Sequence, residues 1–276
     1  MSRIEKALEK ANKMRGKERY APERQAAEPR VSAPVAAGAP PTPDFSRGGV
    51  CVSTTNPYLA VINDPASRAS EEYRKLKSMI VKQTKKSNSL LNTIMITSTL
   101  ANEGKSLTAL NLAVSLAQEY DNTVLLVDAD LRSPSISKYL GIEPALGLSD
   151  CLSNGVEVSQ ALVKTGIGNL VVLPSGSKVT DPVELFLSGK MLSLVNELKY
   201  RYSDRYIIFD TPPVLPFAEA HAIGSIVDAV VFVVKEGYAP ISSVKEALDT
   251  LKGTNILGIA YNCAESGPFG DAYNYE

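Results

Sequence analysis

The sequence predicts an α/β fold, a doubly wound and mostly parallel sheet, on three observations. Six short Ile/Val-rich runs recur from about residue 93 onward: 93-TIMIT-97, 123-TVLLVD-128, 169-NLVVLP-174, 206-YIIFD-210, 229-AVVFVV-234 and 256-ILGIAYN-262. They are apolar throughout, as strands buried on both faces of a parallel sheet must be. Helical patterns at roughly 105–120, 182–202, 217–226 and 239–252 separate them and supply the crossovers.

Ahead of the first strand, Asp64-Pro65 has the N-cap and first-turn chemistry of a helix start, and a helix is expected from there to about Thr84. Residues 64–265 therefore read as one α/β domain. Residues 1–30 carry nine Lys/Arg against five Glu, and Ser2 with Glu5 has capping-box spacing. Ile4, Leu8, Ala11 and Met14 recur at helical intervals, so a short amphipathic helix is expected within 1–20. A docking helix for a partner or membrane surface and a solvated N-terminus both fit that thin stripe. Residues 21–63 read as a linker, since 31–50 hold four Ala, four Pro and three Gly and little that could build a core. Residues 266–276 form a tail.

Composition narrows the function classes. The chain has 276 residues, 44% apolar and 21% charged, with 29 Lys+Arg against 30 Asp+Glu. That balance suggests no whole-protein affinity for nucleic acid or anionic membrane. No apolar stretch is long enough for a membrane span, and the N-terminus has no signal-peptide core. Three scattered cysteines fit a reducing cytoplasm, with Cys151 and Cys263 expected to be small buried residues. A single histidine, His221, makes zinc or Ser-His chemistry a poor expectation and reads as a surface or capping residue.

The chemistry sits at the strand ends. The first run leads into 97-TSTLANEGKSL-107, where Gly104-Lys105-Ser106 opens an apolar helix. Strand, turn, Gly-Lys-Ser and helix make a P-loop, whose backbone N–H groups and helix N-terminus wrap phosphate oxygens. Lysine neutralises the β/γ charge and serine takes a position on Mg²⁺. The usual first glycine of the loop is Thr99 here. The second run ends in 128-DADLR-132, with Asp128 and Asp130 two apart, and 206-YIIFDTPP-213 ends its strand in Asp210. Any one of these acids could be a loop acid or helix cap. Three beside a P-loop, at the carboxyl ends of strands where α/β sheets bind ligands, point to a phosphoryl-transfer site.

In these motifs the sequence resembles the bacterial tyrosine kinase family, cytoplasmic kinases of polysaccharide export systems, over about residues 64–276. The segment 173-LPSGSKVTDPVELF-186 is similar to that family's Pro-Ser-Gly segment. The segment 71-EEYRKLK-77 resembles its oligomerisation helix, with Glu71 and Arg74 in place and Lys77 where arginine is usual. The opening 1-MSRIEKALEKA-11 is similar to exosortase-associated tyrosine autokinases. The resemblance implies a P-loop NTPase fold of MinD/ParA type, with ATP and Mg²⁺ as cofactors. It places Asn102, Glu103, Gly104, Lys105, Ser106 and Leu107 around the phosphates, and Asn262 against the adenine. Ser106, Asp128 and Asp210 would serve the metal, and Asp130 the attacking hydroxyl, with Arg132 as the motif arginine. Tyr273 and Tyr275 would be the phosphoacceptors, served in trans by a ring-like homo-oligomer built through Glu71, Arg74 and Lys77. The implied partners are a separate membrane protein of the chain-length type and a cognate tyrosine phosphatase. No nucleic acid is expected, and the implied location is cytoplasmic, recruited to the inner face of the membrane.

Asn102 departs from the family's usual glycine, but asparagine tolerates the left-handed backbone. The chief rival is a MinD/ParA-type switch ATPase without kinase activity. Its signature lysine near the start of the loop is Leu100 here. A non-catalytic nucleotide-binding regulator is a third reading, against which the intact Lys105, Ser106 and three aspartates stand.

Overall fold

The structure, a computed structural model, describes residues 56–86, 91–119, 123–201 and 205–264. The expected 1–20 helix, nearly all of the linker, Cys51 and the tail with Tyr273 and Tyr275 lie outside the described residues.

The chain order is α1 (Ala60–Asn63), α2 (Arg68–Lys86), β1 (Thr93–Ser98), α3 (Lys105–Ala117) and β2 (Thr123–Asp128). Three short helices follow, α4 (Ile136–Leu140), α5 (Leu148–Asn154) and α6 (Val158–Ala161), then β3 (Val163–Lys164) and β4 (Leu170–Leu173). The rest comprises α7 (Pro182–Leu187), α8 (Gly189–Arg201), β5 (Arg205–Asp210), α9 (Ala218–Gly224), β6 (Ala229–Lys235), α10 (Ile241–Thr250) and β7 (Ile256–Asn262). The strands form one sheet in the order β3-β4-β2-β5-β1-β6-β7. All pairs are parallel except β3 on β4. The mostly parallel α/β class expected from the sequence is the one observed.

The apolar runs are explained by which face each residue meets. Ile94, Ile96, Val124, Leu126, Ile208, Val231 and Val233 face one core layer with the buried side chains of α3. Their neighbours Met95, Leu125, Val127, Ile207, Phe209, Val230 and Phe232 face the other. A strand buried on both sides has no room for the polar alternation of a half-exposed one. Each such side chain contributes about 1.5–3 kcal/mol on burial. All of α3 except Leu107 is buried, which accounts for a helix apolar nearly all round.

Three expected boundaries are corrected. The helix expected to start at Asp64-Pro65 begins at Arg68: Asp64 O accepts from the Ser67 and Ser70 hydroxyls, each at 2.7 Å, and Ser67 Oγ accepts from Ser70 N, so Ser67 is the cap. The linker expected to reach residue 63 ends earlier. Leu59 and Val61 are buried in the core, and Asn111 of α3 holds both Val61 N (3.3 Å) and Tyr58 O (3.0 Å). The helix expected over 182–202 breaks at Ser188, whose extended backbone (φ −70, ψ 151) separates α7 from α8.

Candidate active site

Parallel packing places the carboxyl ends of β1, β2 and β5 side by side, and the candidate residues converge there. Asp128 and Asp210 are register partners as the last residues of β2 and β5. The loop from Thr99 to Gly104 leaves β1 and turns into α3. Asn102 (φ 66) takes the left-handed backbone expected of it, and Gly104 (φ 93) requires it. A Cβ at Gly104 would stand 2.1 Å from Asn262 Nδ2, so glycine serves here for space as well as for conformation.

Lys105 is the centre of the charge arrangement. Its Nζ donates to Asp130 Oδ2 at 2.7 Å and to Ser106 Oγ at 3.2 Å, and lies 3.9 Å from Asp210 Oδ1. Burial pushes the lysine pKa down, but Asp210 and Asp130 outweigh it and the pKa is raised, which keeps the ammonium charged. Asp130 also accepts from Ser133 N at 3.0 Å. Asp128 Oδ2 accepts from Ser135 N (3.2 Å) and Ile136 N (3.1 Å), while Oδ1 is buried with no partner. Neither buried oxygen of Asp210 has a hydrogen-bond partner. Burial, reinforced by Asp210, pushes Asp128 up to about 8, against its bonds to backbone N–H. Burial likewise pushes Asp210 up to about 6, opposed by Lys105.

Those orphaned oxygens test the fit of a divalent cation. Among the described residues no cluster of three or more acidic, His or Cys side chains forms a complete metal cage. Two partly unpartnered carboxylates beside a serine hydroxyl nonetheless fit Mg²⁺, which is held by one or two carboxylates and takes its remaining oxygens from water and substrate phosphates.

Other expected residues do different work. Glu103 is fully buried: Oε2 accepts from Leu100 N (2.6 Å) and Oε1 from Lys235 N (3.3 Å), tying the loop to the end of β6. Its carboxylate thus braces the loop from behind, leaving its backbone alone to face a phosphate. Asn262 donates to Glu103 O at 2.8 Å and accepts from Cys263 N at 2.9 Å, so its amide braces the same loop. Leu107 is half-buried, and its carbonyl accepts from Asn111. Arg132 Nε donates to Glu219 Oε1 at 2.6 Å, and its guanidinium lies 4.6 Å from the Phe217 ring centre.

The segment expected to serve oligomerisation, 71–77, packs on α3, where Tyr73 lies beside Thr108 and Asn111. Arg74 bonds Glu71 (2.8 Å) and Pro65 O (2.6 Å), with both side chains exposed, while Lys77 pairs with Glu119 at 2.9 Å within the same chain. His221 is exposed on α9, as expected, and Cys151 is buried. Cys263, expected to be buried, is exposed, because it follows the last strand in a left-handed turn (φ 56). Sequence reading missed Glu219 and Phe217, which reach Arg132 from 87 and 85 residues away with no local signal.

A parallel sheet, a glycine-hinged loop opening a buried helix, and acids at adjacent strand ends define a P-loop nucleotide-binding protein. A family model described as an AAA domain matches residues 91–255. The tyrosine-protein kinase YwqD of Bacillus subtilis is 36% identical over 207 residues, 74% of this chain and 85% of that protein. The chain belongs to the bacterial tyrosine-protein kinase family. Among solved structures, the kinase domain of the Escherichia coli tyrosine kinase ETK aligns with a TM-score of 0.69 at 27% identity, covering 84% of this chain and 88% of that one. The septum-site protein MinD of Pyrococcus horikoshii, complexed with Mg-ADP, aligns at 0.53 and 25% identity over 61% and 68%. The architecture is thus shared with switch ATPases, and the closer likeness lies with kinases.

Proposed function

We propose that this chain transfers the γ-phosphoryl group of ATP to tyrosine hydroxyls, including Tyr273 and Tyr275 of a neighbouring copy, and thereby regulates exopolysaccharide synthesis or export. The observation that carries this is the arrangement around Lys105: a buried ammonium 2.7 Å from Asp130 and 3.9 Å from Asp210, beside oxygens of Asp128 and Asp210 that accept no hydrogen bond. Asp128, Asp210 and Ser106 would hold Mg²⁺, which when bound screens the charge of the phosphate oxygens. Lys105 and the backbone N–H groups of the loop bind the phosphates and set them in line for attack. Drawn to the phosphates, Lys105 relaxes its hold on Asp130. Asp130 then orients the acceptor hydroxyl and takes its proton, which a phenol with a pKa of about 10 does not give up unaided at neutral pH. Asn262, at the end of β7, would meet the adenine with the amide N–H that Glu103 O leaves free.

The wider assignments follow the family likeness. A ring-like homo-oligomer through the segment 71–77 brings one copy's tail to the next copy's site. Recruitment to the membrane face would fall to a separate chain-length protein acting as activator, as the likeness to this family suggests. A cognate phosphatase reverses the reaction. Leu100, where a switch ATPase carries its signature lysine, weighs against the rival.

The test is incubation with Mg²⁺-ATP, with and without the cytoplasmic tail of the candidate membrane partner, followed by mass-spectrometric mapping of phosphotyrosine. Phosphate on Tyr273 or Tyr275 that vanishes in Lys105→Met is the expected result. ATP hydrolysis with no phosphotyrosine in either condition would transfer the chain to the switch ATPases.

A further inference from the structure

One buried acid near the site has no part in the chemistry above. Glu219 stands in the first turn of α9 with its side chain 1% exposed. Its Oε1 accepts from Arg132 Nε at 2.6 Å, and its Oε2 is buried without a partner. A carboxylate in such a place is unfavourable unless a cation neutralises it. Arg132 supplies that cation, and the pairing in turn determines how the arginine is held.

The guanidinium is engaged through one edge only. Nε is taken by Glu219, and the plane lies 4.6 Å from the Phe217 ring centre. The terminal Nη1 and Nη2 have no partner among the described residues, and the side chain is 38% exposed. An arginine fixed from behind by a buried acid and steadied by a ring, with its outer fork bare, is preorganised to take an oxyanion by two parallel N–H bonds. It lies two residues past Asp130, whose carboxylate holds Lys105.

We propose that Glu219, with Phe217, is a positioning residue that presents the outer fork of Arg132 to an oxyanion at the mouth of the transfer site. The inference rests on the kinase reading. Two oxyanions share the required chemistry: the phosphate chain of the nucleotide, and a carboxylate beside the acceptor tyrosine. Asp271 and Glu276 flank Tyr273 and Tyr275 in this chain, so its own tail carries the second kind.

A double-mutant cycle in the full chain tests it. Arg132→Ala, Glu219→Ala and the double variant are compared with Glu219→Gln, whose amide oxygen still accepts from Nε, and Arg132→Lys, which keeps charge without the fork. The readouts are kcat and KM for Mg²⁺-ATP and for two C-terminally amidated peptides, DAYNYE and its carboxylate-free counterpart NAYNYQ, together with ATP hydrolysis and the thermal midpoint. Glu219→Ala is expected to lower kcat/KM about tenfold or more, and to add no further loss once Arg132 is Ala. Glu219→Gln is expected to recover most of the activity, and Arg132→Lys to behave like Arg132→Ala. A loss confined to DAYNYE assigns the fork to the acceptor's carboxylate, and an equal loss with both peptides and in hydrolysis assigns it to the nucleotide. Additive losses, or parental activity in Glu219→Ala, overturn the proposal. If the parent forms no phosphotyrosine, the kinase reading fails by itself. The same cycle read in hydrolysis then decides the positioning role, with coupling supporting it and additivity overturning it.

Discussion

Two regions of the site are equally buried and differ in one respect. Glu103 of the phosphate loop and the pair Asp128 and Asp210 at the strand ends are each 0% exposed. Both oxygens of Glu103 accept backbone N–H groups, and the amide of Asn262 is satisfied at both ends. At the strand ends, by contrast, one oxygen of Asp128 and both of Asp210 have no hydrogen-bond partner. A buried polar atom without a partner costs about 1–3 kcal/mol, more when charged. A carboxylate that finds donors serves as a brace, and the strand-end oxygens left without them form the proposed socket for Mg²⁺. The loop is held by its own bonds; the acid corner would be completed by the cation.

The sharpest way to break this contrast is to remove the cation shared between the regions. Lys105→Met is expected to lower the rate of phosphotyrosine formation about 100- to 1,000-fold, the usual loss for one preorganised charge at a transfer site. Its thermal midpoint, measured without nucleotide, should also fall, because Asp130 and Asp210 lose their buried partner.

Next in size is Gly104→Ala, which attacks the finished loop. At φ 93 any side chain is strained by about 1–2 kcal/mol, and its Cβ would meet Asn262 Nδ2 at 2.1 Å. Nucleotide affinity, followed by fluorescence of a labelled ADP, should drop about tenfold or more, since that strain alone amounts to roughly tenfold. Measured against Asn262→Ala alone, adding Gly104→Ala should cost only the part due to φ.

The socket has a signature in pH. Asp128 is pushed from 3.8 up to about 8 in the folded chain. Asp210 is pushed up from the same value to about 6. Both hold protons more tightly folded than unfolded, so their contribution to stability is full below their unfolded pKa and is lost as pH rises through the folded values. The metal-free, nucleotide-free protein should therefore lose thermal stability between about pH 4 and pH 8. Asp128→Asn should flatten that decline, as scanning calorimetry at stepped pH would read. Smallest of all, Arg74→Ala should change stability by less than about 1 kcal/mol, because its pair with Glu71 is exposed. Any larger effect belongs in oligomer mass, measured by light scattering.

Much of this was legible in the chain because its signals are local. Apolar runs reveal doubly buried strands, and Gly104-Lys105-Ser106 after such a run reveals the loop. What escaped depends on distance or context. Arg132 and Glu219 meet across 87 residues, and nothing in either segment announces the other. Strand β3 has two residues, too few for any periodicity. Tyr58 and Val61 looked like linker because their partner, Asn111, lies on a helix about fifty residues on. Lys77 matched a motif by position, yet its charge is spent on Glu119 of the same chain.

On the proposed reading Asp130 serves transfer, while Asp128 and Asp210 form the cation socket. Asp130→Asn tests it most directly, with phosphotyrosine formation and nucleotide affinity measured on one preparation. A fall of about 100-fold or more in phosphotyrosine is expected, as for the loss of a general base, with Mg²⁺-ADP affinity within about threefold of the parent. Parental phosphotyrosine formation, or a loss matched by an equal loss of nucleotide affinity, would contradict it.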